Sequence, residues 1–449
     1  MKLFGTAGVR GSVRDRVTPE LALAVGRAVG VDGETFVLGR DGRETGPALS
    51  DALAAGLQSV GADVHRVGVV PTPTLAFASR GRHGVMVTAS HNPPADNGIK
   101  VFADGKEYDR AAERRVEERV ASGVRSPEWV DWGNRREEAT LHRYRAAVIR
   151  YAERYGTTPS GLQIAIDCGN GTGGLATPQV VSRLGANVVA LNANVDGHFL
   201  SRESKPTPES LASFRSFVAG GRFDLGIAHD GDADRIVVLG SDGRIIHEDT
   251  ILAILAEHYV RSTEVSDPVV VTTPNASARI DERVEAAGGR VERVRLGALH
   301  EGIAAAESAG GDVVFAAEPW KHVHPKFGGW IDGVASAAVL VRLVAKTGDV
   351  ETLRESVTER PYRKEAVDCP DEAKADAMTR LERTLPDAFP EATVDTSYGV
   401  RLERADGSWT LVRPSGTEPY LRIYAEADDV DGLIEGVTEV VESAIETGT

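Results

Sequence analysis

The order of apolar runs along the chain predicts three similar α/β units with mixed sheets, followed by one α+β unit. Two observations lead to this fold class. Short β-prone runs alternate with helical-period stretches through residues 35–345, whereas the last hundred residues gather three strand runs between two helices. The length agrees, since 449 residues exceed what a single core can fill.

In the first unit, 35–38 is a strand run and 49–61 a helix ending at glycine. A strand at 64–69 closes on Pro71-Thr72-Pro73, and one at 84–88 leads into a turn. A highly charged helix at 110–121, a polar stretch at 126–138 and a helix at 141–155 complete the unit. The second opens with a strand at 162–167, a glycine loop at 169–174 and a helix at 178–184. Strands at 187–191 and 225–228 follow, and the runs 236–239 and 244–246 around Ser241-Asp242-Gly243 read as a hairpin. The third unit has helix 250–259, strand 269–272, helix 278–287, strands 291–294 and 313–316, and helix 334–345. In the last, helices at 373–385 and 433–445 flank strands at 399–403, 409–413 and 421–427.

A net charge of −16 argues against nucleic acid as a partner. Only two cysteines, Cys168 and Cys369, are present, which excludes a disulfide framework and fits a cytoplasmic location. The N-terminus has no apolar signal core, and no apolar run reaches the ~20 residues of a membrane helix. Nine lysines stand against 42 arginines in this carboxylate-rich chain. That balance fits a high-salt cytoplasm such as a halophilic archaeon's, where screening relieves self-repulsion, or alternatively an acidic mesophile with a GC-rich genome.

Two runs carry the chemistry. Ser90 lies in Thr88-Ala89-Ser90-His91-Asn92-Pro93, on a turn that Asn-Pro enforces after a strand. The bland alternative is a turn serine bonding its own backbone. Lys100 follows in Asp96-Asn97-Gly98-Ile99-Lys100, placed to stabilise phosphoryl charge or carry a proton. The second run, His229-Asp230-Gly231-Asp232-Ala233-Asp234-Arg235, presents three alternating carboxylates after an apolar stretch, suited to a hard divalent cation. An EF-hand fails, because Arg235 and Ser241 stand where it needs glycine and glutamate. A phosphatase with Asp230 as nucleophile, or a merely exposed acidic turn, are the rival readings. A phosphoserine beside a carboxylate-held metal fits phosphoryl transfer.

Three further runs matter. The GxGxxG of loop 169–174 lacks the acidic residue that dinucleotide binding wants ~20 positions on, so it reads as a tight strand-to-helix turn. Arg413-Pro414-Ser415-Gly416-Thr417-Glu418, with Arg422 beyond it, offers guanidiniums, hydroxyls and turn amides to a phosphate monoester; the alternative is a Pro-Gly turn with an ion pair. In Ala317-Glu318-Pro319-Trp320-Lys321-His322, Glu318 suits sugar hydroxyls and His322 an acid or base near neutral pH, unless it is structural.

Together with Gly5-Thr6-Ala7-Gly8-Val9-Arg10-Gly11, these runs resemble, in order and over nearly the whole chain, the α-D-phosphohexomutase superfamily. The resemblance implies three α/β domains and a C-terminal α+β domain around a central cleft. Taken as 1–156, 157–247, 248–347 and 348–449, these would carry the phosphoserine, metal, sugar and phosphate loops in turn. It implies a phosphorylated Ser90 and Mg2+ held by Asp230, Asp232, Asp234 and a phosphoserine oxygen. It places Arg10, Lys100 and Arg235 at the reaction centre, with Lys100 and His322 as candidate proton carriers. It gives Arg413, Ser415, Gly416, Thr417 and Arg422 the non-reacting phosphate. A sugar 1,6-bisphosphate is then the intermediate and activator, and a monomer or homodimer acting on small sugar phosphates is expected.

The sugar loop departs from the superfamily's Gly-Glu-x-Ser-Gly-His: Trp320 replaces serine and Lys321 replaces glycine. The N-terminal run is most similar to the phosphoglucosamine mutase branch, which points to glucosamine phosphate. A phosphomannomutase, a phosphoglucomutase or a phosphopentomutase acting on a smaller sugar are the alternatives.

Overall fold

Beneath the first two helices lies a core built from Phe36, Leu38, Leu53, Leu57, Val85, Val87 and Ile99, all buried. The computed structural model describes residues 2–5, 8–416 and 418–446 and divides into two compact units, Met1–Ile251 with Val314–Arg354, and Leu252–Val313 with Glu355–Thr449.

In the larger unit one mixed sheet begins at Val9–Ser12, which pairs antiparallel with Asp96–Ala103. Asp96–Ala103 pairs antiparallel with His83–Val87, and the Thr35–Arg40 and Asp63–Val69 strands continue in parallel. The helices Pro19–Gly30 and Gly46–Gln58 cover it. A second sheet runs parallel through Asn187–Leu191, Gln163–Asp167 and Leu225–Ala228, and ends on antiparallel Val237–Leu239. The expected hairpin shortens here: residues 244–246 contribute only one bridge, Leu239 to Ile245. This unit also holds the antiparallel pairing of 316–318 with Lys321–Val323 and the buried helix Gly333–Thr347.

In the smaller unit Pro268–Thr272 pairs parallel with Arg290–Arg293, and the helices Arg279–Ala286 and Leu299–Ser308 accompany them. Its C-terminal part is an entirely antiparallel sheet in the order Tyr362–Asp368, Tyr420–Glu426, Trp409–Pro414, Val400–Glu403, Thr393–Asp395. The helices Lys374–Ala388 and Val430–Glu446 pack Leu381, Leu385, Val437 and Val441 onto it. The sheets are therefore mixed in the α/β part and antiparallel at the C-terminus, as the periodicities indicate. Among the described residues no helix is long and apolar enough to cross a membrane.

Candidate active site

The turn carrying Ser90 leaves the His83–Val87 strand and returns through Asp96–Ala103. Ser90 is fully buried and takes a left-handed backbone, φ 52°, which a residue with a side chain adopts only when its surroundings enforce it. Arg43 supplies the enforcement. Its buried guanidinium uses all five donors, on the carbonyl oxygens of Ser90 (3.0 Å), Asn92 (2.7 Å), Pro93 (2.5 Å) and Asp96 (2.9 Å) and on Asp41 Oδ2 (3.1 Å). Asp41 also accepts from Thr88 Oγ1 at 2.7 Å, while the Ser90 amide donates to Thr88 Oγ1 at 2.8 Å. Sequence reasoning missed Arg43; its one signal was the Asp41-Gly42-Arg43 run directly after a strand.

The aspartate loop docks on this turn. Ser90 Oγ donates to Asp230 Oδ2 at 2.7 Å, across 140 residues. The approach needs glycine at 231, because a Cβ there would lie 2.7 Å from the Ser90 carbonyl oxygen. Behind the loop, Thr172 of the glycine turn donates its amide to the Gly231 carbonyl at 3.0 Å. Arg202 bridges Asp167 (2.6 Å) and the His229 carbonyl (2.6 Å). The glycine loop is thus a structural turn that braces the carboxylates. From another side, Thr72 donates its hydroxyl to Asp232 Oδ2 at 2.6 Å and its amide to the Asp232 carbonyl at 3.0 Å.

Asp230, Asp232 and Asp234 are buried and bring carboxylate oxygens within 4.8 Å of one another. Burial, with Asp234 and Asp232 adding to it, pushes the Asp230 carboxyl well above its usual range. Asp232 Oδ1 and Asp234 Oδ1 are buried without a hydrogen-bond partner among the described residues. Acceptors left bare at such cost are what a hard cation with oxygen ligands satisfies, so the residues fit the expected divalent ion.

Lys100 and the arginines close in around the cage. Lys100 Nζ lies 2.7 Å from Asp234 Oδ2, 3.6 Å from Asp232 and 3.8 Å from Glu107. Burial works against its charge, but these three carboxylates outweigh it and push its pKa up. These carboxylates favour the charged form of Lys100. Arg235 Nε stands 3.8 Å from Asp230 and 3.9 Å from Asp234. Arg10, opposite Gly98 in the first sheet, keeps a buried Nε without a hydrogen-bond partner among the described residues. Burial, then the charges of Arg235 and Arg10, with Lys321 also contributing, lower the His91 pKa to about 2, so this imidazole is neutral. Its Nδ1 is 3.3 Å from Ser90 Oγ.

The sugar loop is placed on the same unit. Glu318 ends its strand and accepts from Lys321 Nζ at 3.1 Å. Lys321 itself pairs in antiparallel fashion with Arg235. Trp320, at φ 68°, packs its indole against the cluster of Leu211, Phe214 and Val218, which accounts for its bulk. His322 is buried and meets the Ser336 hydroxyl at 3.0 Å, as His324 does at 2.9 Å. Burial lowers its pKa to about 3 and so favours the neutral ring. It is a neutral anchor for the loop.

On the smaller unit, Arg413 and Arg422 are direct partners on adjacent antiparallel strands. Arg413 Nη2 donates to Tyr424 Oη at 2.9 Å, and Arg422 bonds the Tyr420 hydroxyl. Like charges directly opposite each other are unfavourable unless an anion bridges them. Ser415 Oγ accepts from the Glu418 amide at 3.2 Å, and a side chain at Gly416 would meet nothing, so this backbone is open. Thr417 lies outside the described residues, as do Thr6 and Ala7. Lys374, also missed in the sequence, holds the turn by donating to the Ser415 (2.9 Å) and Glu418 (2.6 Å) carbonyls.

The comparisons with known proteins agree with this geometry. Residues 1–125, 143–243 and 247–362 match the models of phosphoglucomutase/phosphomannomutase α/β/α domains I, II and III, and 366–443 match the C-terminal domain. The chain is 42% identical over 437 residues to a phosphopentomutase of Thermococcus kodakarensis, covering 95% of this chain and 94% of the relative. It is 40% identical over 451 residues to a probable phosphoglucosamine mutase of Methanopyrus kandleri, covering 98% and 97%. Among solved structures, a phosphoglucomutase/phosphomannomutase family protein of Burkholderia thailandensis superposes with a TM-score of 0.87 at 25% identity, covering 99% and 97%.

Proposed function

The chain belongs to the phosphoglucomutase/phosphomannomutase family, and from that premise we propose that it interconverts a sugar 1-phosphate with the terminal phosphate of the same sugar through a phosphorylated Ser90. It is an enzyme of intramolecular phosphoryl transfer. The observation that carries the Ser90 reading is the 2.7 Å bond from its hydroxyl to Asp230, the first of the three caged carboxylates.

Asp230, Asp232 and Asp234 would hold Mg2+, which when bound neutralises phosphoryl charge and needs no proton to do so. Lys100, Arg10 and Arg235 add fixed positive charge, which stabilises the equatorial phosphoryl oxygens as they move. In the first half-reaction the substrate's free hydroxyl oxygen bonds to phosphorus and gives its proton to a base on its own side, while the bond to Ser90 Oγ breaks and Ser90 Oγ takes up a proton to end as a neutral hydroxyl. At the serine end, with Asp230 given to the metal, the imidazole of His91, 3.3 Å from Ser90 Oγ, is placed to exchange that proton, and a phosphoryl dianion beside it raises its basicity. The second half-reaction reverses these steps with the other phosphate of the bisphosphate, so protons balance. Arg413, Ser415, Gly416 and Arg422 would grip the phosphate not being transferred, with Glu318 and Lys321 reading sugar hydroxyls. Domain limits near 156, 247 and 347 complete the proposal.

For the sugar, two readings stand. Glucosamine phosphate is supported by the N-terminal run and by relatives named probable phosphoglucosamine mutases. A pentose phosphate is supported by the 42% relative and by the Lys321–Glu318 pair, which puts a cation where the superfamily has glycine and occupies part of the carboxylate. We favour the pentose. Initial rates with ribose, glucosamine, glucose and mannose phosphates, each with a trace of its bisphosphate, test this choice. A glucosamine preference of tenfold or more reverses it.

A further inference from the structure

The larger unit carries a second cationic site, outside the residues assigned above. Its groove is an open one of about 1010 Å³, lined by Phe77, by Arg80, Arg82, Arg136, Arg143 and Arg150, and by the carboxylates of Glu137 and Glu138. Glu138 accounts for two of these arginines, pairing with Arg82 at 2.8 and 3.0 Å and with Arg143 at 2.5 Å. Arg80, Arg136 and Arg150 make no ion pair within 4 Å among the described residues. Arg80 sits over Phe77, its guanidinium carbon 3.9 Å from the ring centroid and its Nε donating to the Phe77 carbonyl at 3.1 Å. Arg136 Nη2 stands 3.2 Å from His65 Nδ1. In a chain of net charge −16, a groove lined by five arginines against two glutamates is a local reversal of sign that attracts anions.

We propose that this groove binds a multivalent phosphate anion. Guanidinium forks match phosphate oxygens in bidentate fashion, and the groove is too large for one orthophosphate yet of the size small-molecule sites take. The outer face of Arg80, already stacked on Phe77, offers a surface for a planar base, so a nucleoside triphosphate and a bare polyphosphate share the chemistry.

Its walls reach the reaction centre. The Thr72–Ala78 helix carries Phe77 at the groove and Thr72, bonded to Asp232, at its other end. The opposite wall, the Leu141–Ala152 helix, carries Arg143, Arg150 and the buried Tyr144. Tyr144 donates to Asp332 Oδ1 at 2.7 Å, just beyond the sugar loop, and meets Phe77 edge-on at 5.7 Å. An occupant that shifts Phe77 therefore presses on elements bonded to the carboxylate cage and to the segment after the sugar loop.

Titration calorimetry without magnesium, using inorganic tripolyphosphate and separately ATP, tests the site on the full chain. Because Arg80, Arg136 and Arg150 are exposed, their glutamine variants are expected to fold. One ion per chain, weakened at least tenfold by R80Q and by R150Q and unchanged by R413Q, is the expected result. Equal affinity for both ligands assigns recognition to the phosphate chain, and tighter ATP assigns a stacked base; both support the site. Basal mutase turnover of R80Q and R150Q should match wild type. No binding of either ligand overturns the proposal, as does binding lost in R413Q but untouched by R80Q and R150Q. A change of oligomeric mass in R80Q or R150Q, seen by sedimentation, also overturns it by making the groove a protein interface.

Discussion

Arg43 donates to the carbonyl oxygen of Ser90 at 3.0 Å, so the backbone of the proposed nucleophile is set by a side chain 47 residues earlier. The same guanidinium neutralises the buried Asp41. Arg43→Ala would take the charged partner from that carboxylate and remove a donor from each of four carbonyls. We expect a loss of about 3–5 kcal/mol, read as a lower urea midpoint, because one partner of a buried pair is removed. Arg43→Lys should recover little, since an ammonium cannot reproduce the fork.

The smaller unit holds a comparable pair. Arg279 Nη2 lies 2.7 Å from Glu426 Oε1, both buried, and Trp409 Nε1 donates to Glu426 Oε2 at 3.0 Å. Glu426→Ala should cost about 3–5 kcal/mol in equilibrium unfolding. Glu426→Gln, which keeps the shape and one acceptor, should cost less.

Much of this site was legible in the sequence because its chemistry sits in contiguous runs. Ser90 and the aspartates announce themselves as a turn serine and as alternating carboxylates after strands, and the periodicities anticipated the mixed sheets and the C-terminal antiparallel sheet. What stayed hidden depends on tertiary contacts. Arg43 and Lys374 act on carbonyl oxygens 41 to 53 residues away, and carbonyls have no sequence signature. The Asp96–Ala103 strand opens on Asp-Asn-Gly, a turn signal, yet pairs on both sides. Pro71-Thr72-Pro73 marks the end of one strand, but it also starts the Thr72–Ala78 helix, since proline suits a first turn. His322 and Lys100 are residue types suited to proton transfer, and the burial of the first and the carboxylates around the second, which shift their charge, are tertiary features too.

Glu138 predicts a pH dependence. Hydrogen bonds from Arg82, with Arg143 and His65 adding theirs against some burial, hold its pKa at about 2, below an ordinary 4.5. A carboxylate depressed on folding contributes stability that is complete above its unfolded pKa and is lost as pH falls through the folded one. The difference in unfolding free energy between wild type and Glu138→Gln should therefore be largest above pH 4.5 and shrink towards pH 2. Screening at this partly exposed site limits it to about 1 kcal/mol. A difference that grows on acidification would contradict the assignment.

Lys374→Ala should loosen the turn at Ser415 and Glu418 while leaving the Ser90 centre intact. The expected signature is a KM for sugar phosphate raised about tenfold, the size of one charge-assisted hydrogen bond to the phosphate, with kcat changed less than twofold. A fall in kcat at constant KM would remove this turn from phosphate binding.

The most direct test of the account is phosphorus NMR on wild type and Ser90→Ala, in KCl with magnesium, a sugar 1-phosphate and a trace of its bisphosphate. Wild type should convert the 1-phosphate signal into the terminal phosphate signal without releasing orthophosphate, and Ser90→Ala should leave the spectrum unchanged. Undiminished conversion by Ser90→Ala, or accumulation of orthophosphate, would contradict transfer through Ser90.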